Sequence, residues 1–443
     1  MSITRDLTRL IRNKPVTDSD LQWAALFVLD TLGCALGAQK TEPARMLRAV
    51  AAPATADVAR QAFYLGGLAH ILEMDDLHRD SVTHPGSVVI PAGWAISENL
   101  DLNGRDFLRS VLTGYEAMCR IGSSVGKAHY KVWHNTSTCG PFGSAFAAAD
   151  LLGLDEDQTV WALGNAGTQS SGLWEFLATG SMSKHLHTAR AAESGILAAQ
   201  LAIEGFTGPE KILEGEKGFY AGLCADPLPD RVLAGATEPW QLINTSIKPW
   251  PCCRHTHPAI DASIELHRQL AGRDIASVTV GAYQAALDVC DRPMPTDPYS
   301  AKFSLQHTVA IAVSDGQVVQ AIFDADARQR IATQRGKVKV AVSDAINAAY
   351  PGSWGSEVTI VTSDGTVLRE VRHEAKGDPE YPLTADEIAA KAHLQLEAGG
   401  HSKDRCESLI ETILDLPNDR PIRDLELFMG ETTRGRPRVA RNS

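Results

Sequence analysis

Several common functional signatures are missing from this chain. Acidic residues outnumber basic ones, 54 against 42, leaving a net charge of −12. That deficit of positive charge argues against non-specific nucleic-acid binding, which relies on cations to neutralise phosphate. The basic stretch "RGRPRVARNS" (434–443) is short and reads as a solvated terminus. Cysteine is sparse: Cys34, Cys119, Cys139, Cys224, Cys252, Cys253, Cys290 and Cys406 show no disulfide-framework spacing. Reduced thiols in a cytoplasmic protein are expected. No run approaches the ~18 apolar residues of a membrane span, so no membrane partner is expected. The opening "MSITRDLTRLIRNKP" lacks the apolar core of a signal peptide, and Asp6 disfavours a mitochondrial presequence.

Cofactor motifs are missing too. There is no C-x2-C pair and no HExxH, so zinc and iron–sulfur sites lack their usual anchors. "GSSVGKA" (122–128) has three residues between its glycines where a phosphate loop has four, and Ala128 replaces the hydroxyl that would hold magnesium. No G-x-G-x-x-G follows a strand, so NAD and FAD have no support. The dense stretch "KPWPCCRHTHPAID" (248–261) invites a metal reading. Its cysteines are adjacent, however, and adjacent side chains diverge. Cys252 and Cys253 are read as packed thiols, and no metal or other cofactor is expected.

What remains is a long chain, 443 residues, rich in small residues and patterned for helix. "DSDLQWAALFVLDTLGCALG" (18–37) carries Leu21, Ala24, Ala25, Val28, Leu29 and Leu32 as an apolar stripe, with Asp18 or Ser19 as cap. Similar patterns recur through "SVVIPAGWAISENL", "RDFLRSVLTGYEAMCRIG", "GSAFAAADLLGL", "TVWALGNAGTQSSGLWEFL" and "HTARAAESGILAAQLAIEGF". Their Ala, Gly and Ser content predicts closely packed helices. After about residue 270 the character changes. "ASVTVGAY" and "GKVKVAV" alternate as strands, and "SEVTIVTSDGTVLREV" reads as a hairpin turning at Asp364-Gly365. Helix returns at 384, with Thr384 as cap and Glu387 completing a capping box. The expectation is a mainly α protein with an inserted α+β domain. A large helical domain (1–268 and 384–443) is interrupted by a smaller, lid-like domain (269–383) with a mostly antiparallel sheet.

Chemistry-bearing residues cluster. Ten of the fourteen histidines fall in five short segments, together with lysines, aspartates and hydroxyls. These are "HILEMDDLHRDSVTHPG", "HYKVWHNTSTCGPFG", "GSMSKHLHTAR", "KPWPCCRHTHPAID" and "SAKFSLQH". Histidine titrates near neutrality, and a focus of cations in an acidic protein suits a small polyanion.

Taken together and in order, the stretches "DDLHRDSVTHPG", "HNTSTCGPFGSAFAAADLLGL", "NAGTQSSGLWEF", "SKHLHTARAAESGILAAQLAIEGFTGP" and "KPWPCCRHTHPAIDA" resemble the MmgE/PrpD family. Its reactions include dehydration of 2-methylcitrate, decarboxylation of cis-aconitate and epimerisation of iminodisuccinate. The resemblance implies a helical domain with a smaller lid, a homodimer, an active site in a cleft between the domains, and no metal. By position it implies functional roles for His84, His134, Lys184, His257 and the acidic pair Asp75 and Asp76. There are departures: Glu73 stands where the family often has Asp, Leu77 where it often has Thr, and His307 where the decarboxylase branch has Tyr.

The shared chemical problem is a proton on carbon next to a carboxylate. Stabilising the resulting charge calls for protein cations and dipoles. Lys184, with one or more of His84, His134 and Arg254, is expected to bind carboxylates, with Lys248, Lys302, His307 and Thr136 as further substrate contacts. His257 or His134 would move the proton, in the neutral form that cationic neighbours favour. Asp75 or Asp76 would orient an imidazole. The leading expectation is a metal-independent dehydratase of a 2-methylcitrate-like di- or tricarboxylate. An epimerase or a decarboxylase, the latter disfavoured by His307, and a non-catalytic polycarboxylate binder are the alternatives.

Overall fold

Thr17 and Asp20 begin the first long helix by exchanging hydrogen bonds. The Asp20 N–H donates to Thr17 Oγ1 at 3.2 Å, and the Thr17 N–H to Asp20 Oδ2 at 2.8 Å. This capping box places the cap of Asp18–Gly37 at Thr17, ahead of both Asp18 and Ser19, the caps the sequence suggested. The computed structural model describes residues 2–51, 57–425 and 427, and the basic stretch 434–443 lies outside them.

The chain divides into two units, Met1–Ile247 with Thr384–Ser443, and Lys248–Leu383. The first is helical. Its main helices are Asp18–Gly37, Val58–Ala69, Gly86–Leu100, Gly104–Gly122, Asn135–Leu151, Glu156–Gly167 and Ser183–Ile203, joined by the returning Ala385–Gly399 and Lys403–Leu414. The small residues do what their abundance suggested. A Cβ built on Gly140 would lie 2.8 Å from Ala191 Cβ, and one on Gly195 only 2.1 Å from Ser144 Oγ and 2.3 Å from Ala145 N. Ser144 Oγ then donates to the Ala191 carbonyl at 2.6 Å, a bond available only between backbones this close. The helix read from Gly143 in fact begins at Asn135, which brings Thr136, Ser137 and Thr138 into its first turns. The helix read through residue 177 stops at Gly167, and a separate short turn, Trp174–Ala178, follows. Strands β1 (Leu77–His78) and β2 (Thr245–Ser246) pair antiparallel and pin the segment between Ala69 and Gly86.

The C-terminal return begins with the expected box of Thr384 and Glu387. Helix Ala385–Gly399 lies against Asp18–Gly37 with almost no gap. A Cβ on Gly33 would sit 3.2 Å from Ala392 Cα, and one on Gly399 2.2 Å from the Leu36 carbonyl.

The second unit carries a four-stranded sheet of β3 (Ile275–Ala282), β4 (Val338–Val342), β5 (Ser356–Thr362) and β6 (Val367–Arg372), in the order β4-β3-β5-β6. β3 and β4 run parallel, and the other two pairings are antiparallel. The β5–β6 turn follows the sequence reading: Gly365 is left-handed (φ +85°) and Asp364 accepts from the Thr366 N–H at 2.9 Å. Helices His257–Leu270 and Leu305–Asp315 share a core with the sheet through Ile260, Leu266, Val309, Val278, Val358 and Ile360. This packing corrects the domain boundary. A division at 268/269 would cut His257–Leu270 from the sheet it covers, so it falls at 247/248 and the whole of "KPWPCCRHTHPAID" belongs to the second unit. Among the described residues no single helix is long and apolar enough to cross a membrane.

The Gly195 contact is directly testable. Gly195→Ala would drive a methyl into the backbone of the Asn135–Leu151 helix, and chemical denaturation should show a loss of about 2 kcal/mol or more. An unchanged midpoint would contradict the packing.

Candidate active site

The site in the first unit is built on the segment from His70 to Gly86. His70 ends the helix Val58–Ala69, and Gly86 begins the next. Between them the backbone turns left-handed at two non-glycine residues, Glu73 (φ +59°) and Val82 (φ +50°). Each costs about 1–2 kcal/mol, so the loop needs partners to hold its shape. Asp76 supplies one anchor. Its carboxylate accepts from the Gly86 N–H at 3.0 and 3.2 Å and from the Tyr115 hydroxyl at 2.8 Å. Burial, followed by the neighbouring Asp75, pushes the Asp76 carboxyl well above its usual range. Both oxygens serve the start of the Gly86 helix, so Asp76 is better read as an anchor than as a catalytic acid.

Asp75 organises two imidazoles. Its Oδ2 lies 2.6 Å from His70 Nδ1 and 3.4 Å from His84 Nδ1. His84 Nδ1 is also 2.5 Å from the Asp76 carbonyl oxygen. A carbonyl can only accept, so His84 Nδ1 bears the hydrogen, and in the neutral ring Nε2 carries the lone pair. The His84 backbone N–H donates to Thr136 Oγ1 at 3.1 Å. Thr136, expected as a substrate contact, therefore also acts as a strut for the loop.

His134 sits at the cap of Asn135–Leu151. Its ring packs on Trp174 at 4.7 Å and lies 5.9 Å from His70 and 6.4 Å from His84. His134 Nδ1 is 3.1 Å from His187 Nδ1, so one of these nitrogens donates and the other accepts. Burial first, then Lys184 and the surrounding rings, lowers the His134 pKa well below the ordinary histidine value. Burial, then His70 and Lys184, takes His187 down to about 4. Both rings are neutral at physiological pH.

Lys184 and His187 are three residues apart on one helical face. Lys184 Nζ is held by both oxygens of Glu73, at 2.6 and 2.8 Å, and the pair is buried. Glu73, His70 and His187 were not singled out as site residues in the sequence. Glu73 stood out only as a departure from the family pattern. The i, i+3 spacing of Lys184 and His187 was the one readable signal. His70, Asp75 and His84 each place a donor atom within 4.8 Å of the others, a spacing that a divalent cation also needs. In this arrangement Asp75 Oδ2 and the two Nδ1 atoms are tied to one another and to the Asp76 carbonyl by hydrogen bonds.

The remaining candidates belong to the second unit. His257 opens the helix His257–Leu270, fully buried, and its Nε2 donates to the Cys252 carbonyl at 3.2 Å. Arg254 pairs with Asp378 at 2.5 Å, and its Nε and Nη1 are buried with no hydrogen-bond partner. Lys248 and Lys302 are buried. His307 departs from its expected role in substrate contact. It is fully buried, donates through Nε2 to the Ile322 carbonyl at 2.9 Å, lies against Phe323, and burial lowers its pKa to about 4. It behaves as a core histidine. His255 does likewise, bonded to the Tyr283 hydroxyl at 2.5 Å and stacked on Trp354 at 4.7 Å. Cys252 packs beside Thr256, and burial raises its thiol to about 12, which agrees with the packing role read from the sequence.

Comparison with known proteins bears on these two sets of residues. The MmgE/PrpD N-terminal domain model matches residues 5–231 and the MmgE/PrpD C-terminal domain model residues 250–416. The cis-aconitate decarboxylase-like protein oryM of Aspergillus oryzae is 26% identical over 395 residues, covering 83% of this chain and 81% of that protein. Human cis-aconitate decarboxylase is 25% identical over 451 residues, covering 94% and 92%. The 2-methylcitrate dehydratase of Salmonella typhimurium is 24% identical over 426 residues, covering 85% of each.

The buried histidines set a pH dependence. His78, His187, His255 and His307 each have their pKa lowered to about 4, mainly by burial. Between about 4 and the unfolded value of about 6.5 the unfolded chain binds more protons, so their contribution is complete above about 6.5 and is lost as pH falls toward about 4. Asp76, whose pKa is raised, opposes this from the carboxylate range upward. The melting temperature should fall progressively from about pH 7 to 4.5, with net proton uptake on unfolding. A flat profile would contradict the burial of these rings.

Proposed function

The chain belongs to the MmgE/PrpD family and is a lyase, and from that premise we propose that it dehydrates a 2-methylcitrate-like di- or tricarboxylate by proton transfer at carbon next to a carboxylate. The observation that carries this reading is the fixed tautomer of His84. With Nδ1 committed to the Asp76 carbonyl and Asp75, Nε2 is the basic nitrogen of an oriented ring. In the proposed step His84 Nε2 takes the proton from carbon and the electron pair spreads into the adjacent carboxylate. The carbon–oxygen bond then breaks, and the leaving hydroxide takes a proton to depart as water. Lys184 stabilises the developing charge. It also suits the role of proton donor better than His134 and His187, whose protonated forms are disfavoured. This moves the proton-transfer role from His257, which the sequence favoured along with His134, to His84. In the second unit, the Nε and Nη1 hydrogens of Arg254 suit a carboxylate.

Decarboxylation is the second reading, favoured by the cis-aconitate decarboxylases among the relatives. There a carbon–carbon bond breaks, carbon dioxide leaves, and the electron pair left on carbon takes a proton. A second copy of the chain is the proposed partner. Helix Ser183–Ile203 turns Lys184 and His187 inward and leaves Leu186, Leu197 and Ile203 exposed on its outer face, a surface suited to a homodimer.

Incubation with 2-methylcitrate, citrate and cis-aconitate in D2O, with and without EDTA, separates the readings. Dehydration should give an alkene and water, together with carbon–deuterium exchange and no effect of chelation. Carbon dioxide release would favour the second reading, and activity lost to EDTA and restored by metal would overturn the metal-free reading. His84→Gln should lower kcat/KM by about 10²-fold or more. An unchanged value would remove His84 from the mechanism. Leu186→Glu with Leu197→Glu should shift the sedimenting species from dimer to monomer, and an unchanged species would exclude this face as the interface.

A further inference from the structure

One buried cation close to this site plays no part in the proposed chemistry. Lys391 lies on Ala385–Gly399, the helix that returns to the first unit from the end of the chain. Its Nζ is 2.5 Å from Asp30 Oδ1 and 2.7 Å from the Met74 carbonyl oxygen. Met74 stands between Glu73, which holds Lys184, and Asp75, which orients His70 and His84. One turn further along the same helix, Gln395 Nε2 is 3.4 Å from Met74 Sδ and 3.2 Å from Cys34 Sγ. The reach depends on the near-contact of the two helices at Gly33 and Gly399.

Holding one helix on another does not call for a buried ammonium, since apolar side chains of similar volume serve as well or better. An ammonium does offer several donors, and here it joins a carboxylate on one helix to a backbone carbonyl in the middle of the site loop. That loop carries a left-handed residue next to the same carbonyl, Glu73, so its backbone path needs an external hold. Burial alone would lower the Lys391 pKa, but Asp30, Cys34 and Asp75 together keep it above the ordinary lysine value.

We propose that Lys391 is a positioning residue. By fixing the backbone at Met74 it aims Glu73 at Lys184 and Asp75 at His70 and His84, so the helix after the second unit is needed for turnover while giving no group to the substrate. Its activity arm rests on the proton-transfer reading above, and its spectroscopic arm does not.

The test compares Lys391→Met with the double variant Asp30→Asn/Lys391→Met. The single variant strands a buried carboxylate and should melt earlier. The double variant removes that charge, so its melting temperature should return toward wild type. Its kcat should nevertheless stay at least about tenfold down, with KM changed less than about twofold. If kcat recovers in step with melting temperature, Lys391 is merely structural and the proposal is overturned. Nitrogen-15 spectra of histidine-labelled protein give the second readout. Wild type should show His84 as the Nδ1–H tautomer, and the double variant a mixture. An unchanged His84 signature overturns the proposal. If wild-type protein turns over none of the polycarboxylates, the proton-transfer reading fails while the spectra still decide the role of Lys391.

Discussion

Five carboxylates of the first unit, Asp30, Glu73, Asp75, Asp76 and Glu116, are taken almost wholly out of water, and each must find compensation. An unpaired buried ion costs several kcal/mol, so their partners are a condition of folding. Asp30 has Lys391, Glu73 has Lys184, and Glu116 has Lys14 and Arg120. Asp75 has two imidazoles, and Asp76 has the Gly86 N–H and Tyr115. These partners come from helices spread over nearly the whole length of the unit. The loop from His70 to Gly86 can take its shape only when those helices are in place, and the candidate chemistry depends on that shape.

The same pairing explains the electrical character of the site. The sequence suggested a focus of cations, because histidine and lysine cluster there. In the folded unit His134 and His187 are held neutral by burial and by nearby Lys184 and His70, and Lys184 is matched by Glu73. What results is a set of polar groups fixed by one another, with Lys184 beside the two neutral rings of His134 and His187. Such an arrangement suits the proton transfer proposed above.

Much of the fold was legible. The apolar stripes marked the helices, the small residues marked where helices meet, and Asp364-Gly365 marked the hairpin. The boundary at 247/248 was not, because the pattern of His257–Leu270 shows that one face is buried without showing what covers it. At the site, ordered motifs pointed to His84, His134, Lys184 and Asp75, and the structure places these side chains near one another. The Glu73–Lys184 pair was hidden because a left-handed glutamate leaves no trace in sequence. His307 misled because a histidine bonded to a carbonyl fifteen residues away looks the same in sequence as one facing a ligand. Lys391 was hidden because one buried lysine in a helix resembles any solvated one.

The close seating of Ala385–Gly399 on Asp18–Gly37 also bears on how the protein is made. During synthesis the first helices emerge long before the segment that fills the groove along Gly33 and completes the surroundings of Asp30. The whole of the second unit is translated in between, and it is contiguous, so it can fold while the earlier helices wait. At about 5–20 residues per second, translating that unit alone takes on the order of ten seconds. Over that time the nascent bundle presents an apolar, carboxylate-bearing groove to the ribosome surface and to chaperones, and the helix Ala385–Gly399 closes it when it emerges.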